Sequence, residues 1–503
     1  MTKFISPIVA RITMSDGYKF SMAEAGFPLR EETFYYTHRR GGANGWHYMP
    51  VDAQQYVKAL LPRGCTNDSL DDRMSDDYKY LDEHAYSVGA AARKAYSLTD
   101  NLKVTAIPKG SWFYNRESAF SVTGTSAIGS WLEPMSLMLH FRIQVATQAK
   151  INRLPPNMIA TCAREEEIII EACEEAGRKP PQIEVREEEY YNAILAKARA
   201  LVDVVKNPDR IFEVGMRAVS CMEQHEIALR AIRDAGIMRT SNVYLAQKLG
   251  MIPVGTMGHE HIQRFGNSYQ SFITMRDRFP GFISYLPDTF DSIREGIPAA
   301  LKAMMECPNR KSGIRFDSED RIRNHYWYTL TEMQRLNILQ QLILESGWNL
   351  EKTIQFEKYR ELADWPAELQ SYGLGGYLVQ PNWAIFRRDD VAAVWKLTKT
   401  GARGVMKFSD DAGKQSAPGL PVVLRPLPMH MGSNIPVGII GQDGEKIENH
   451  FQLSSNEPNA VAMLSPDMVM LNNAPQVAPI YSPETQKLAD ICTAIRQANF
   501  SEV

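Results

Sequence analysis

The chain has 503 residues, 44% of them apolar and 23% charged, and its 56 basic against 59 acidic side chains leave a net charge of −3, which gives no general attraction to nucleic acid or anionic membranes. No run approaches the ~18 apolar residues of a transmembrane helix, and the apolar stretch at residues 4–10, broken by Ser6 and Pro7, is too short for a signal-peptide core. Cys65, Cys162, Cys173, Cys221, Cys307 and Cys492 are scattered without a C-x-x-C pair, which argues against a zinc ribbon or disulfide framework and fits a reducing cytoplasm.

In chain order, residues 104–108 and 119–122 read as strands, followed by an apolar helix-like segment at 131–147. Residues 157–176 interleave apolar and acidic side chains as a helix does. The acidic runs Glu165–Glu167 and Glu187–Glu189 read as solvated helix faces, separated by a Gly/Pro loop at 177–181, with a helix over 193–205. From Phe212 to Val379 short apolar runs alternate with helical stretches: helix 221–235, strand 252–254, helix 292–305, strand 314–316 and helix 329–344. Such alternation predicts a parallel α/β core, either barrel or doubly wound. After Val391 the texture turns to strands at 394–397 and 404–408 and turns at 410–413 and 418–419, a separate β-rich layer.

Three of the predicted strands end in polar clusters. Ile252-Pro-Val-Gly-Thr-Met-Gly-His-Glu-His261 is a buried strand ending at a Gly turn, with His259 and His261 on the loop beyond. Tyr285-Leu-Pro-Asp-Thr-Phe-Asp291 and Gly313-Ile-Arg-Phe-Asp-Ser-Glu-Asp320 end in the same way. In α/β folds the carboxyl ends of strands carry the chemistry, so one shared active site is expected. Strand-end carboxylates bind Mg²⁺, ribose hydroxyls or a developing cation. That role suits Asp288 and Asp317, whereas Asp291 and Asp320 serve equally well as helix caps. His259 and His261, spaced i, i+2, also allow a metal site, although zinc helices use i, i+4. Tyr372-Gly-Leu-Gly-Gly-Tyr377 and Ser346-Gly-Trp-Asn349 are Gly-rich turns of the kind that cradle phosphate or merely turn the chain. Arg39, Arg40, Lys407 and Lys414 are candidate phosphate clamps or plain surface charges.

Taken together, these segments resemble the nicotinate phosphoribosyltransferases, relatives of the nicotinamide phosphoribosyltransferases, along most of the chain. Ser15-Asp-Gly-Tyr-Lys-Phe-Ser-Met22 is similar to the family's T/S-D-x-Y segment, and Glu32-Thr-Phe-Tyr-Tyr-Thr-His-Arg-Arg40 to its strand ending in a phosphate-binding Arg. Val214-Gly-Met-Arg217 stands for F-G-x-R, Gly255-Thr-Met-Gly-His259 for G-T-x-x-H, Asp288-Thr-Phe-Asp291 for D-T-Y-D, and Arg315-Phe-Asp-Ser-Glu-Asp320 for R-x-D-S-G-D. Gly373-Leu-Gly-Gly376 and Met406-Lys-Phe-Ser409 through Gly413-Lys414 complete the order. Two positions depart from the pattern: the stacking aromatic is Val214, leaving Tyr18 or Phe212 to hold the ring, and the Gly of the ribose loop is Glu319.

The resemblance implies an irregular α/β barrel, residues 148–395, with an α+β domain formed from the N-terminal 1–147 and the β-rich C-terminal 396–503; residues 163–207 read as an insertion. It implies a head-to-tail homodimer with shared sites and Tyr18 supplied by the partner subunit. The substrates would be nicotinate and 5-phosphoribosyl-1-diphosphate, with Mg²⁺ as cofactor, ATP as co-substrate and His259 as the phosphorylated residue. Asp288 and Asp317 would face ribose. Tyr18 and Ser241 would surround the base with Arg217 and Arg239 as counter-charges, Arg39, Arg315, Gly347, Gly375, Gly376 and Lys414 would hold the phosphates, and Asp16 would also bind substrate. The stretch Arg239-Thr-Ser-Asn242 lacks the Asp that nicotinamide enzymes place near the amide, which favours nicotinate. A nicotinamide-specific enzyme, a barrel metallohydrolase using His259, His261 and Asp288 or Asp317, and a non-catalytic homologue are the alternatives.

Overall fold

The computed structural model describes residues 11–62, 72–408, 415–426, 438–454 and 480–499. Seven short strands of its central region form one all-parallel sheet: β1 (Ile211–Glu213), β2 (Arg239–Thr240), β3 (Ile252–Pro253), β4 (Ile283–Tyr285), β5 (Ser312–Phe316), β6 (Gln341–Leu344) and β7 (Gln370–Leu374). Parallel neighbours need crossover connections. Helices supply them, among them Met222–Asp234, His259–Phe265, Ser268–Arg278, Ile297–Glu306, Ile322–Arg335 and Leu350–Leu362. The spatial order β3-β2-β1-β7-β6-β5-β4 joins the first strand to the last and leaves a seam between β3 and β4. Of the two parallel α/β cores the alternating pattern allowed, barrel or doubly wound, this is the irregular barrel that the resemblance implied.

Side chains close the seam where no ladder does. Thr256 Oγ1 lies 2.6 Å from Ser284 Oγ and accepts the Ser284 N–H at 3.0 Å. Gly255 beside it adopts φ +124°, and a Cβ there would meet the Tyr18 backbone nitrogen at 2.9 Å. Glycine is therefore required both for the conformation and for the approach of the N-terminal helix Gly17–Ala25.

Against the barrel packs an antiparallel sheet in the order Arg403–Gly404, Val394–Thr400, Glu31–Thr37, Phe120–Thr125, Lys103–Ala106. Segments from both ends of the chain thus share one sheet. Helix Leu139–Lys150 has every residue from Leu139 to Thr147 buried, the pattern of a helix enclosed on all sides. A second, mixed sheet centres on Pro421–Pro426 and is tied to the N-terminal part by the buried Arg425–Glu117 ion pair.

Several elements differ from the sequence reading. The helix expected over 329–344 stops at Arg335, because Asn337 turns left-handed at φ +54° and the apolar run beyond it enters the barrel as β6. Residues 157–176 split into a strand, Asn157–Ala160, paired with Gln182–Val185, and a helix, Ala163–Glu175. Glu165 on that helix is buried and accepts hydrogen bonds from the Thr161 backbone and hydroxyl, so only part of that run is solvated. Glu187–Glu189 are exposed, as expected. The 404–408 run contributes only Arg403–Gly404 to a strand. The turn at 410–413 lies outside the described residues.

Candidate active site

The carboxyl ends of the barrel strands face the N-terminal helix and the antiparallel sheet, and a cavity of about 500 Å³ lies between and below them. Asp16, Tyr18, Arg217, Ser241, His259, Arg315 and Asp317 line this one cavity. The strand-end clusters therefore converge as the sequence predicted.

His259 opens helix His259–Phe265. The helix is held against the antiparallel sheet by the buried pair of Arg264 with Glu32 at 3.0 Å. Around the imidazole, Nδ1 lies 3.1 Å from Thr289 Oγ1 and 3.7 Å from Asp288 Oδ1, while Nε2 lies 3.2 Å from Asp317 Oδ2 and 2.8 Å from Lys407 Nζ. These are alternatives by tautomer: a proton on Nε2 is donated to Asp317, and a proton on Nδ1 leaves Nε2 to accept from Lys407. Burial pushes the imidazole below its ordinary range; Asp288 opposes that and Lys407 reinforces it. Burial alone would raise the Asp317 carboxyl, but the hydrogen bond from His259, then the charges of Lys407 and Arg315, hold it well below the usual carboxylate range. The pair is a neutral imidazole beside an anionic carboxylate. Asp288 accepts from Ser318 Oγ at 2.8 Å, and its buried Oδ1 has no hydrogen-bond partner. His259, Asp288 and Asp317 present three ligand atoms within 4.8 Å of one another.

Toward the other wall, Asp16 accepts from Ser241 Oγ at 2.6 Å, and the Arg217 guanidinium stands 3.8 Å from Asp16 and 3.5 Å from Glu133. Arg217 Nε is buried without a hydrogen-bond partner. The guanidinium carbon lies 6.0 Å from the Tyr18 ring centre. Glu133 also accepts from Tyr18 OH at 3.2 Å and pairs with Lys19, which is fully buried and bonds Glu260 at 2.9 Å. Burial would raise the Glu133 carboxyl, but the charges of Lys19 and then Arg217 bring it to about 2. Phe212 and Val214 complete this apolar and cationic end.

The other sequence candidates are placed differently. Asp291 caps the next helix, accepting from the Ile293 and Arg294 backbone at 3.1 and 2.9 Å, which is the capping reading. His261 points away: its Nε2 meets Ser271 O at 3.1 Å, and burial takes it to about 3. Two residues along a helix is more than half a turn, so the paired-histidine metal site of the hydrolase reading does not form. Gly347 and Gly375–Gly376 do not line the cavity. Gly347, at φ +59°, lies under the Glu319 carboxylate, which pairs with Lys352, and Gly375–Gly376 start a short helix beside Val214 and Asp389. Arg39 follows strand Glu31–Thr37 and acts electrostatically on Lys396. Lys414 lies outside the described residues. Tyr18 of this chain lines the cavity.

Sequence reasoning missed Glu133, Glu260, Glu345 and Lys396, all cavity residues. Burial pushes the Lys396 amine down to about 7, helped by Lys407 and Arg39 and opposed by Glu133. Its one available signal was a lysine in the otherwise apolar run Val394-Trp-Lys-Leu397.

No family model matches the chain. It is 25% identical over 246 residues to a nicotinate phosphoribosyltransferase of Bacillus subtilis, covering 47% of each chain. To that of Herminiimonas arsenicoxydans it is 29% identical over 229 residues, covering 42% of this chain and 53% of the other. The matched stretch thus spans about half the length of these curated relatives. Among solved structures, a putative nicotinate phosphoribosyltransferase from Saccharomyces cerevisiae superposes with a TM-score of 0.56 at 17% identity, covering 82% of this chain and 96% of that one. The Vibrio cholerae nicotinate phosphoribosyltransferase gives 0.57 at 16%, covering 82% and 91%. The chain is thus similar in sequence, over about half its length, to nicotinate phosphoribosyltransferases, and over about four-fifths of its length it has the fold of the solved ones.

Proposed function

We propose that this chain transfers the phosphoribosyl group of 5-phosphoribosyl-1-diphosphate to the ring nitrogen of nicotinate, forming nicotinate mononucleotide and diphosphate in NAD salvage. The observation that carries this reading is one cavity with two chemically different ends. One end offers Tyr18, Phe212 and Val214 to a flat ring, with Arg217 and Ser241 beside them for a carboxylate. The other gathers His259, Asp317 and Arg315, with Asp288 and Lys407 behind His259, where charged phosphates and ribose belong.

In the transfer, the bond from the anomeric carbon to the diphosphate oxygen breaks as the ring nitrogen forms its bond to that carbon. Positive charge builds on the sugar, and the anionic Asp317 with Asp288 is placed to hold ribose hydroxyls and stabilise it. Arg217, fixed by Asp16 and Glu133, orients the base carboxylate. Lys396, Lys407 and Arg315 counter the leaving diphosphate. Mg²⁺, when bound, neutralises diphosphate charge; the unpartnered Asp288 Oδ1 and the Asp317 carboxylate are hard oxygen donors of the kind that fit it. A neutral His259 suits acceptance of the ATP γ-phosphoryl group, with ADP leaving and later hydrolysis returning imidazole and phosphate; the coupling of ATP hydrolysis to transfer rests on this residue. The head-to-tail homodimer remains part of the proposal as an assembly state, for which sedimentation velocity is the measure.

The test is product formation from 5-phosphoribosyl-1-diphosphate and Mg²⁺ with nicotinate or nicotinamide, each with and without ATP. Nicotinate mononucleotide rising with ATP is the expected result. Product from nicotinamide alone moves the chain to the sister activity, and no product from either base overturns the reading.

A further inference from the structure

The two strands that deliver the base end alternate in the direction of their side chains, as the pleat requires. Phe212 and Val214 at the end of β1, and Arg239 and Ser241 at the end of β2, line the cavity. Glu213 and Thr240 between them are paired in register across the two strands and do not line it. Both are fully buried, as is His225 on helix Met222–Asp234, which crosses over from β1 to β2. A parallel sheet covered by helices is ordinarily apolar on that outer side. A carboxylate and an imidazole placed there are costly unless every polar atom finds a partner.

The partners are all present. The Glu213 carboxylate accepts from Thr240 Oγ1 at 2.6 Å, from His225 Nε2 at 3.0 Å and from the Gly215 backbone N–H. With Nε2 donating, His225 Nδ1 accepts from Asn242 Nδ2 at 3.0 Å. The Thr240 hydroxyl takes the Asn242 N–H at 3.2 Å, and the Glu213 backbone carbonyl takes the Ser241 N–H at 2.9 Å. A Cβ on Gly215 would stand 2.6 Å from Glu213 Oε1, so glycine is what lets the carboxylate reach that N–H. One buried carboxylate therefore grips two loops: Gly215 is two residues before Arg217, and Thr240 and Asn242 flank Ser241. The N-terminal segment that carries Asp16 docks on the second loop, with Gly17 N–H donating to Ser241 O at 2.8 Å and Val243 N–H to Ser15 O at 3.1 Å.

We infer that Glu213, His225 and Thr240 are positioning residues for the base: from behind the cavity wall they fix the spacing of Arg217 and Ser241, the two groups that meet its carboxylate. This rests on the nicotinate reading of the cavity. The cluster does not line the cavity and acts through the backbone of the two loops. Its effect falls on recognition of the base, because Asp288, Asp317 and Lys407 at the other end stand on other segments. A misplacement of about 1 Å costs on the order of a hundredfold where binding groups must converge, so a cluster that holds two loops in register has a measurable role.

Thr240→Val keeps the shape of the side chain and removes a donor to Glu213, whereas Thr240→Ser keeps the donor. In Thr240→Val the KM for nicotinate should rise about tenfold, with kcat and the KM for 5-phosphoribosyl-1-diphosphate within about twofold of the parent. Thr240→Ser should match the parent. The ratio of kcat/KM for nicotinate to that for nicotinamide should fall about fivefold in Thr240→Val, since the carboxylate is the group that loses its fit. His225→Phe removes another donor and should act in the same direction; if it does not fold, the Thr240 pair decides. A lowered urea midpoint in Thr240→Val with both the nicotinate KM and the ratio unchanged assigns the cluster to stability alone and overturns the inference. Because Trp395 lines the cavity, a tryptophan fluorescence titration with pyridine-3-carboxylate gives a Kd without turnover. That Kd should be about tenfold weaker in Thr240→Val than in the parent and in Thr240→Ser. Equal Kd values in all three, or no binding to the parent, overturn the inference. Absence of product with the expected order of Kd values sinks the transferase reading alone.

Discussion

Burial denies water to the His259 imidazolium, so the ring stays neutral where an exposed histidine would be partly charged. Two consequences follow at this scale. His259→Ala should abolish stimulation by ATP while leaving a basal ATP-independent rate, measured as nicotinate mononucleotide formed with and without ATP. In the parent, the ATP-stimulated increment should fall as pH drops through a value below 6.5, the ordinary histidine value, because the protonated ring has lost its accepting nitrogen. Lys396 offers a separate test. With its amine near 7 it is mostly neutral at pH 8, and a bound polyphosphate raises that value by supplying negative charge. Binding of 5-phosphoribosyl-1-diphosphate at pH 8 should therefore take up protons, seen as a buffer-dependent heat in calorimetry, and Lys396→Met should remove the uptake and weaken affinity about tenfold or more. His259, Asp288 and Asp317 were legible in sequence because each lies on a segment that leaves a strand. Lys396, Glu133 and Glu260 were not, since their roles depend on partners such as Lys19 that lie more than 100 residues away.

The elements that position the site are short, and what joins them is often a side chain. The β3–β4 seam depends on Thr256 accepting the Ser284 N–H and meeting its hydroxyl. Thr256→Val keeps the shape but leaves a buried donor without an acceptor, a loss of about 1–3 kcal/mol. The urea midpoint should fall with the slope unchanged, and the KM for substrate should rise because His259 follows Thr256 by three residues. The order of helices and strands from Phe212 onward was readable from hydrophobic period. Helix Ile322–Arg335 was mispredicted because its stop, Asn337 in the left-handed region, is a single-residue signal inside an apolar run that suits helix and strand equally. Glu165 misled for a related reason: a charge run on a helix is ordinarily solvated, and only the neighbouring Thr161 donors make burial of this one tolerable.

At the scale of the whole molecule, buried histidines set the response to acid. His47 titrates near 4, burial lowering it against the hydrogen bond it donates to Asn115 Oδ1, and His140 and His261 near 3, burial again being the main cause. Between 6.5 and those values the unfolded chain binds protons that the folded chain refuses, so stability present above 6.5 is lost as pH falls through that window and levels off below it. The loss is on the order of 3 kcal/mol per histidine. Thermal midpoints recorded from pH 7 to pH 4 should drop steeply, and His47→Gln should make the drop shallower.

Local sequence determined that strands alternate with helices, that glycine stands at Gly255, and that His259, Asp288 and Asp317 emerge at strand ends. Each of these follows from interactions within a few residues: periodic burial, backbone conformation and the direction in which a strand leaves the sheet. Tertiary structure alone decided the strand order that sets β1 beside β7, the assembly of Lys19, Glu133, Glu260 and Lys396 from segments far apart in the chain, and the turning of His261 into the core. It also decided that Tyr18 of the same chain walls the cavity. Those outcomes depend on how surfaces separated by hundreds of residues pack and exclude water, and hydrophobic period carries no record of which surface meets which.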